Sequence, residues 1–254
     1  MDDRRLDAYL ARIGAARPAR PDAAALRELQ LRHLLAVPFE NLSVRLGEDI
    51  VLEPAALVGK LTGGRRGGFC YELNGAFAAL LGALGFEVRL LAARAFGAGG
   101  PGPPFDHLAL QVTTDSGEPW LADVGFGRFS QHPLRLDAPR ADQADPAGTF
   151  RIIPAASGDL DVSLDGELQY RIEPRPRALA DFEPTCWWHR TSPKSSFTRA
   201  AICSLLTATG RVTISDRTLI RTSGGERHEQ RLDGDAELLA AYRTWFGIEL
   251  ERAP

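Results

Sequence analysis

At Gly85 the apolar residues of this 254-residue chain change period, and that switch limits the folds open to it. Before it, Leu6, Tyr9, Leu10 and Ile13 recur at helical spacing and stop at Gly14. Asp22 caps a second helix with Leu26, Leu29, His33 and Leu34 on one face. After Pro54 a short helix carries Leu57, Val58 and Leu61. The loop Gly63-Gly64-Arg65-Arg66-Gly67-Gly68 follows, and Leu73, Phe77, Leu80, Leu81 and Leu84 form the last stripe. Beyond Gly85 the pattern is that of strands, at Phe86–Ala93, His107–Val112 and Trp120–Val124. Leu160–Leu164 and Glu167–Ile172 flank Asp165-Gly166, a dipeptide suited to the positive φ angles of a type I′ hairpin. Short strands at Arg211–Ile214 and Thr218–Arg221 precede a closing helix, Ala236–Phe246, with Leu238, Leu239, Tyr242 and Trp245 turned inward. The chain is therefore α+β, with a helical first third, a β-rich middle and a mixed C-terminal portion.

The formal net charge is −3, so the strong positive field that binds a nucleic-acid backbone or an anionic membrane is missing. The N-terminus alternates acidic and basic residues where a signal peptide would be apolar, and no run approaches the roughly 20 apolar residues of a membrane span. The expected location is cytoplasmic. Three cysteines, Cys70, Cys186 and Cys203, are an odd and sparse set that fits a reducing compartment better than a disulfide framework.

Cys70 follows two glycines and opens a helix, where unpaired N–H groups and the positive helix end stabilise a thiolate. A reactive thiol needs a base, and the base an orienting group. His107 opens a strand just after the Gly/Pro loop 97–104. Asp123 ends an apolar strand, where an unpaired carboxylate is costly. Cys70 alone is as often a buried structural residue, and a lone histidine or strand-end aspartate more often structural; the ordered set Cys, His, Asp points to an activated thiol nucleophile.

The surrounding residues Arg66-Gly67-Gly68-Phe69-Cys70-Tyr71-Glu72-Leu73-Asn74-Gly75, His107-Leu108-Ala109-Leu110 and Asp123-Val124-Gly125-Phe126-Gly127 closely resemble the arylamine N-acetyltransferase family. The resemblance extends to Val37-Pro38-Phe39-Glu40-Asn41-Leu42 and Ser192-Pro193-Lys194-Ser195-Ser196-Phe197, and so spans nearly the whole chain. It implies an N-terminal helical bundle, a central β-barrel and a C-terminal α/β lid around a cysteine-protease-like catalytic core, with bounds expected at 1–85, 86–190 and 191–254. It also implies a ping-pong reaction in the metabolism of foreign amines. Acetyl-CoA acetylates Cys70, and the acetyl group passes to an arylamine or hydrazine, with His107 as base and Asp123 orienting it; no permanently bound cofactor is implied. Gly125, Phe126 and Gly127 then line the pocket with Phe39, while Arg128 and Ser130 shape acceptor preference. Arg66 and Glu40 form a bracing charge pair. Ser192 departs from the family, where a histidine often stands, which weakens any coenzyme contact assigned to that segment.

Cys186-Trp187-Trp188-His189 has a Cys-x-x-His spacing without a second such pair, so no metal is assigned and the tryptophans read as packing or a cleft wall. Cys203 reads as core, and His33, His132 and His228 as structural or solvated. Rival readings are a thiol hydrolase of the same Cys-His-Asp order, an amide synthase closing a macrolactam from a carrier-bound acyl chain, and a catalytically silent ligand-binding module. The amine, the donor's acyl length and the oligomeric state are left open.

Overall fold

The computed structural model describes residues Met1–Pro254. The helix stop at Gly14 and the helix start at Asp22, both read from the sequence, are present. Asp2 accepts the Arg5 N–H and opens α1, Asp3–Ile13, which ends at Gly14 in the left-handed conformation. Asp22 accepts the Ala25 N–H at 2.8 Å and opens α2, Ala23–Ala36. The strand β1, Phe39–Glu40, and the short α3, Leu42–Leu46, come next. Then follow α4, Pro54–Thr62, with Pro54 in the first turn, and α5, Cys70–Ala83. The apolar stripes of α1, α2, α4 and α5 meet in one buried cluster that includes Leu6, Leu26, Leu61 and Phe77. No helix is long and apolar enough to cross a membrane.

The middle of the chain is a nine-stranded sheet: β2 Glu87–Gly97, β3 Gly100–Pro101, β4 His107–Thr113, β5 Pro119–Ala122, β6 Leu134–Arg135, β7 Gln143–Asp145, β8 Gly148–Pro154, β9 Leu160–Leu164 and β10 Glu167–Arg177. Its order is β6-β5-β4-β2-β10-β9-β8-β7, with β3 beside β2. The Gln143 side chain joins the two ends, accepting the Arg135 N–H at 2.6 Å and donating to the Arg135 carbonyl at 3.0 Å. The result is a nearly closed barrel around Phe129, Phe150, Ile152 and Tyr170. The hairpin between β9 and β10 turns at Asp165 (φ 50°) and Gly166 (φ 89°), both positive as expected.

Two short helices, α6 Glu183–Thr191 and α7 Ser196–Arg199, lead to a second sheet: β11 Ile202–Thr207, β12 Gly210–Ser215, β13 Thr218–Ser223 and β14 Glu226–Arg231. The closing helix is α8, Asp235–Phe246. All six side chains of β14 are exposed and polar, so no apolar alternation announces it, and its charges protect an open edge. One correction concerns α8: Trp245 is 36% exposed under the Arg221 guanidinium, and Phe246 turns inward instead. Contacts run between the three expected regions. β1 pairs with β11, Leu42 and Leu46 bury against α8, and Phe182 and Cys186 join the N-terminal helical core.

His33 is fully buried, with its Nδ1 3.3 Å from the Tyr9 hydroxyl and its ring edge-on to Phe77 at 5.3 Å. Burial, then the Arg12 charge, pull its pKa down from 6.5 to about 3. The unfolded chain takes this proton near pH 6.5 and the folded chain does not, so its contribution is complete above that pH and fades as pH falls towards 3. At pH 4.5 the loss is about 3 kcal/mol. Urea unfolding of wild type and His33→Gln should therefore converge as pH drops from 7 to 4.5; parallel profiles would exclude the buried neutral histidine as a cause.

Candidate active site

The loop before Cys70 is held in place by close backbone approach and buried charge. A Cβ at Gly67 would meet the Pro38 carbonyl oxygen at 1.8 Å, and one at Gly68 would meet the Glu72 Cβ at 2.6 Å, so only glycine fits either position. Glu40 N–H donates to the Gly68 carbonyl at 2.9 Å, and Glu72 Oε2 accepts the Phe69 N–H at 3.2 Å. Arg66 Nε donates to Glu40 Oε1 at 2.9 Å, and its Nη1 to Glu48 Oε2 at 3.0 Å. Lys60 reaches Glu72 Oε1 at 2.5 Å. Burial alone would raise the Glu40 carboxyl, but the Lys60 and Arg66 charges, with hydrogen bonds from Arg66 and Leu42, bring it below its ordinary value.

Cys70 starts α5 in the cluster formed with the barrel strands and is 5% exposed. Its sulfur lies 4.0 Å from the Asp106 carbonyl. Burial pushes the thiol well up; the Leu108 N–H opposes this, while the Asp106 and Asp123 carboxylates add to it. A thiolate without a cationic partner is therefore disfavoured here.

His107 begins β4 and Asp123 immediately follows β5, the neighbouring strand, so the sheet brings them together across the ladder. His107 Nε2 is 2.7 Å from Asp123 Oδ2. Asp123 Oδ1 accepts from Asn74 Nδ2 and from the Gly125 N–H, each at 2.8 Å. Burial opposes these contacts, yet the His107 charge and the three donors hold the Asp123 carboxyl below its usual range. Nδ1 of His107 carries no hydrogen bond, and the ring is flanked by Phe126 at 5.0 Å and Tyr170 at 5.1 Å. Asn74 was given no role from sequence, although it stands one turn after Cys70 on the same helix face. Its amide also donates to the Leu108 carbonyl at 2.6 Å and accepts the Val124 N–H at 2.9 Å.

Phe39, Phe126, Gly127 and Arg128 line a cleft of about 810 Å³ between the barrel and the C-terminal sheet. Gly125 lies instead against Cys70, where a Cβ would come within 2.7 Å of the Cys70 Cα. Ser130 is buried away from the cleft wall, and its carbonyl accepts Gln30 Nε2 at 3.3 Å. The sheet side of the cleft, including Ser204, Arg211 and Thr213, carried no signal in the sequence beyond strand alternation.

His189, noted only for its spacing from Cys186, is buried, with Nε2 3.3 Å from Asp106 Oδ1 and Nδ1 3.4 Å from Ser195 Oγ. Positions 186 and 189 share the inner face of α6. Trp187 is consequently 64% exposed, a correction to its reading as packing or cleft wall. No three His, Cys, Asp or Glu side chains group as a metal site.

The Arg66–Glu40 pair yields a stability prediction, because removing one partner strands a charge: Glu40 is fully buried and the Arg66 side chain only 11% exposed. Arg66→Met should cost about 3–5 kcal/mol in urea unfolding. Adding Glu40→Gln should recover part of that loss; a double variant as unstable as the sum of the singles would show that the pair is not coupled.

A family profile described as N-acetyltransferase matches residues 22–254. An arylamine N-acetyltransferase of Mycolicibacterium smegmatis is 35% identical, over 96% of this chain and 92% of that protein. The structure of an arylamine N-acetyltransferase from Salmonella typhimurium superposes with a TM-score of 0.88 at 32% identity, covering 96% of this chain and 91% of that one. That of the Mycobacterium marinum arylamine N-acetyltransferase in complex with CoA superposes at 0.87 and 30% identity, covering 96% and 92%. With sequence and fold shared over nearly its whole length, the chain belongs to the arylamine N-acetyltransferase family.

Proposed function

We propose that the protein transfers an acetyl group from acetyl-CoA to an arylamine or arylhydrazine by a ping-pong route through a thioester on Cys70. The observation that carries this reading is the 2.7 Å His107–Asp123 contact, with Nδ1 as the ring's free nitrogen and the buried Cys70 sulfur 4.0 Å from the carbonyl of Asp106, the residue before His107. The complex of the Mycobacterium marinum relative with CoA supports the donor. The three unpaired thiols agree with a reducing cytoplasm as the setting.

Because burial and two carboxylates oppose an isolated thiolate, the Cys70 proton has to move to His107 Nδ1, giving a thiolate–imidazolium pair that Asp123 stabilises. The thiolate attacks the acetyl carbonyl carbon, forming a carbon–sulfur bond and an oxyanion. The unpaired N–H groups at the start of α5, that of Cys70 included, are the donors for that oxyanion. Collapse breaks the bond to the coenzyme sulfur, which leaves with the proton from Nδ1. The amine nitrogen then attacks the Cys70 thioester and gives its proton to Nδ1, and the Cys70 thiolate is regenerated. Phe39 and Phe126 supply ring faces for an aromatic acceptor.

Intact-protein mass after brief incubation with acetyl-CoA alone tests the thioester. Wild type should gain one acetyl group and Cys70→Ala none. No adduct, together with no release of coenzyme A when an arylamine is added, would overturn the acetyl-CoA reading. His107→Gln should lower turnover by roughly 10²–10⁴-fold while leaving the fold intact by circular dichroism.

A further inference from the structure

The wall of the 810 Å³ cleft contains no carboxylate. Strand alternation builds its sheet side. Cys203, Val212, Ile214 and Leu219 are buried towards α8, so the residues between them face the other way. Cross-strand pairing then sets Ser204 beside Thr213, and Arg211 between Leu206 and Thr222. Arg211 is half-buried, and its one side-chain hydrogen bond runs from Nη1 to Ser204 Oγ at 3.1 Å, leaving the other donors of the fork free. Arg128 lines the same cleft from the barrel side and is exposed. Neither has a carboxylate partner, whereas Arg227, the third arginine of the cleft wall, and Arg217 on the same sheet are paired with Glu229 and Asp235. Burial, and then the Arg128 charge, hold the Arg211 guanidinium below its ordinary value. Two cations sharing a carboxylate-free cleft repel each other unless an anion lies between them, and a guanidinium fork matches phosphate oxygens in geometry.

Phe126 lies on the wall of the same cleft and packs on the His107 ring at 5.0 Å. A donor with its acyl end at Phe126 would run along this wall, which the two arginines also line. We propose that Arg128 and Arg211 clamp a phosphate of the acyl donor, so that the enzyme selects donors phosphorylated beyond the pantetheine arm. This rests on the acetyl-transfer reading above. The recognised chemistry is a phosphate ester or diphosphate, present both in coenzyme A and in the phosphopantetheine arm of a carrier protein.

The test is steady-state kinetics with acetyl-CoA, acetyl-phosphopantetheine and acetyl-pantetheine in wild type, Arg128→Gln and Arg211→Gln. Each variant should raise KM for acetyl-CoA by roughly tenfold with kcat nearly unchanged, and leave KM for acetyl-pantetheine, which has no phosphate, where it was. If acetyl-phosphopantetheine shows the same dependence, the clamp holds the phosphate common to both sources; if only acetyl-CoA does, it holds the nucleotide end. Unchanged KM for acetyl-CoA in both variants, or a parallel rise for acetyl-pantetheine, would overturn the clamp. Should Arg211→Gln fold poorly, the exposed Arg128→Gln carries the comparison, together with a salt titration of wild type in which only the phosphorylated donors lose affinity. A wild type inactive with every donor would instead refute the underlying acetyl-transfer reading.

Discussion

The buried Arg66–Glu40 ion pair is where the molecule is tied together. Glu40 lies on the strand that pairs with the C-terminal sheet, its N–H holds the Gly68 carbonyl, and its carboxylate accepts the Leu42 N–H at 2.7 Å to start α3. Arg66 precedes the two glycines that press against Pro38 and Glu72. The pair therefore fixes the position of the Cys70 loop relative to both the helices and the C-terminal sheet. Such a pair contributes less through its own attraction than through the cost of any arrangement that separates it, since either charge alone in that interior is strongly unfavourable.

Asn74 does for the other half of the site what Arg66 does for the loop. Its amide engages the Leu108 carbonyl on β4, the Asp123 carboxylate and the Val124 N–H, so one side chain on the helix that Cys70 opens registers two barrel strands against it. Those donors and the His107 charge hold the Asp123 carboxyl below its usual range, while burial pushes the Cys70 thiol up.

The cleft beside this site is chemically uneven. Its inner part is aromatic, with Phe39 and Phe126, and the sheet face is hydroxylated and cationic. The C-terminal sheet thus packs one face against α8 and turns the other to the cleft, a division that follows directly from the period-2 alternation of strands.

The sequence alone determined the helix stop at Gly14, the helix start at Asp22, the α5 stripe, the hairpin at Asp165-Gly166 and the pairing of His107 with Asp123, because each rests on local chemistry or on motifs carried in short segments. It did not disclose β14, whose exposed polar residues have no apolar period, nor the outward placement of Trp187 and Trp245, which depends on which helix face finds a neighbour. Tertiary structure alone decided that Asn74 braces Asp123, that Gly125 packs on Cys70 rather than lining the cleft, and that Arg211 faces Arg128 across more than eighty residues of chain. Those relations are distances between segments remote in sequence. They are set by how the barrel and the second sheet close on each other, which no local spacing encodes.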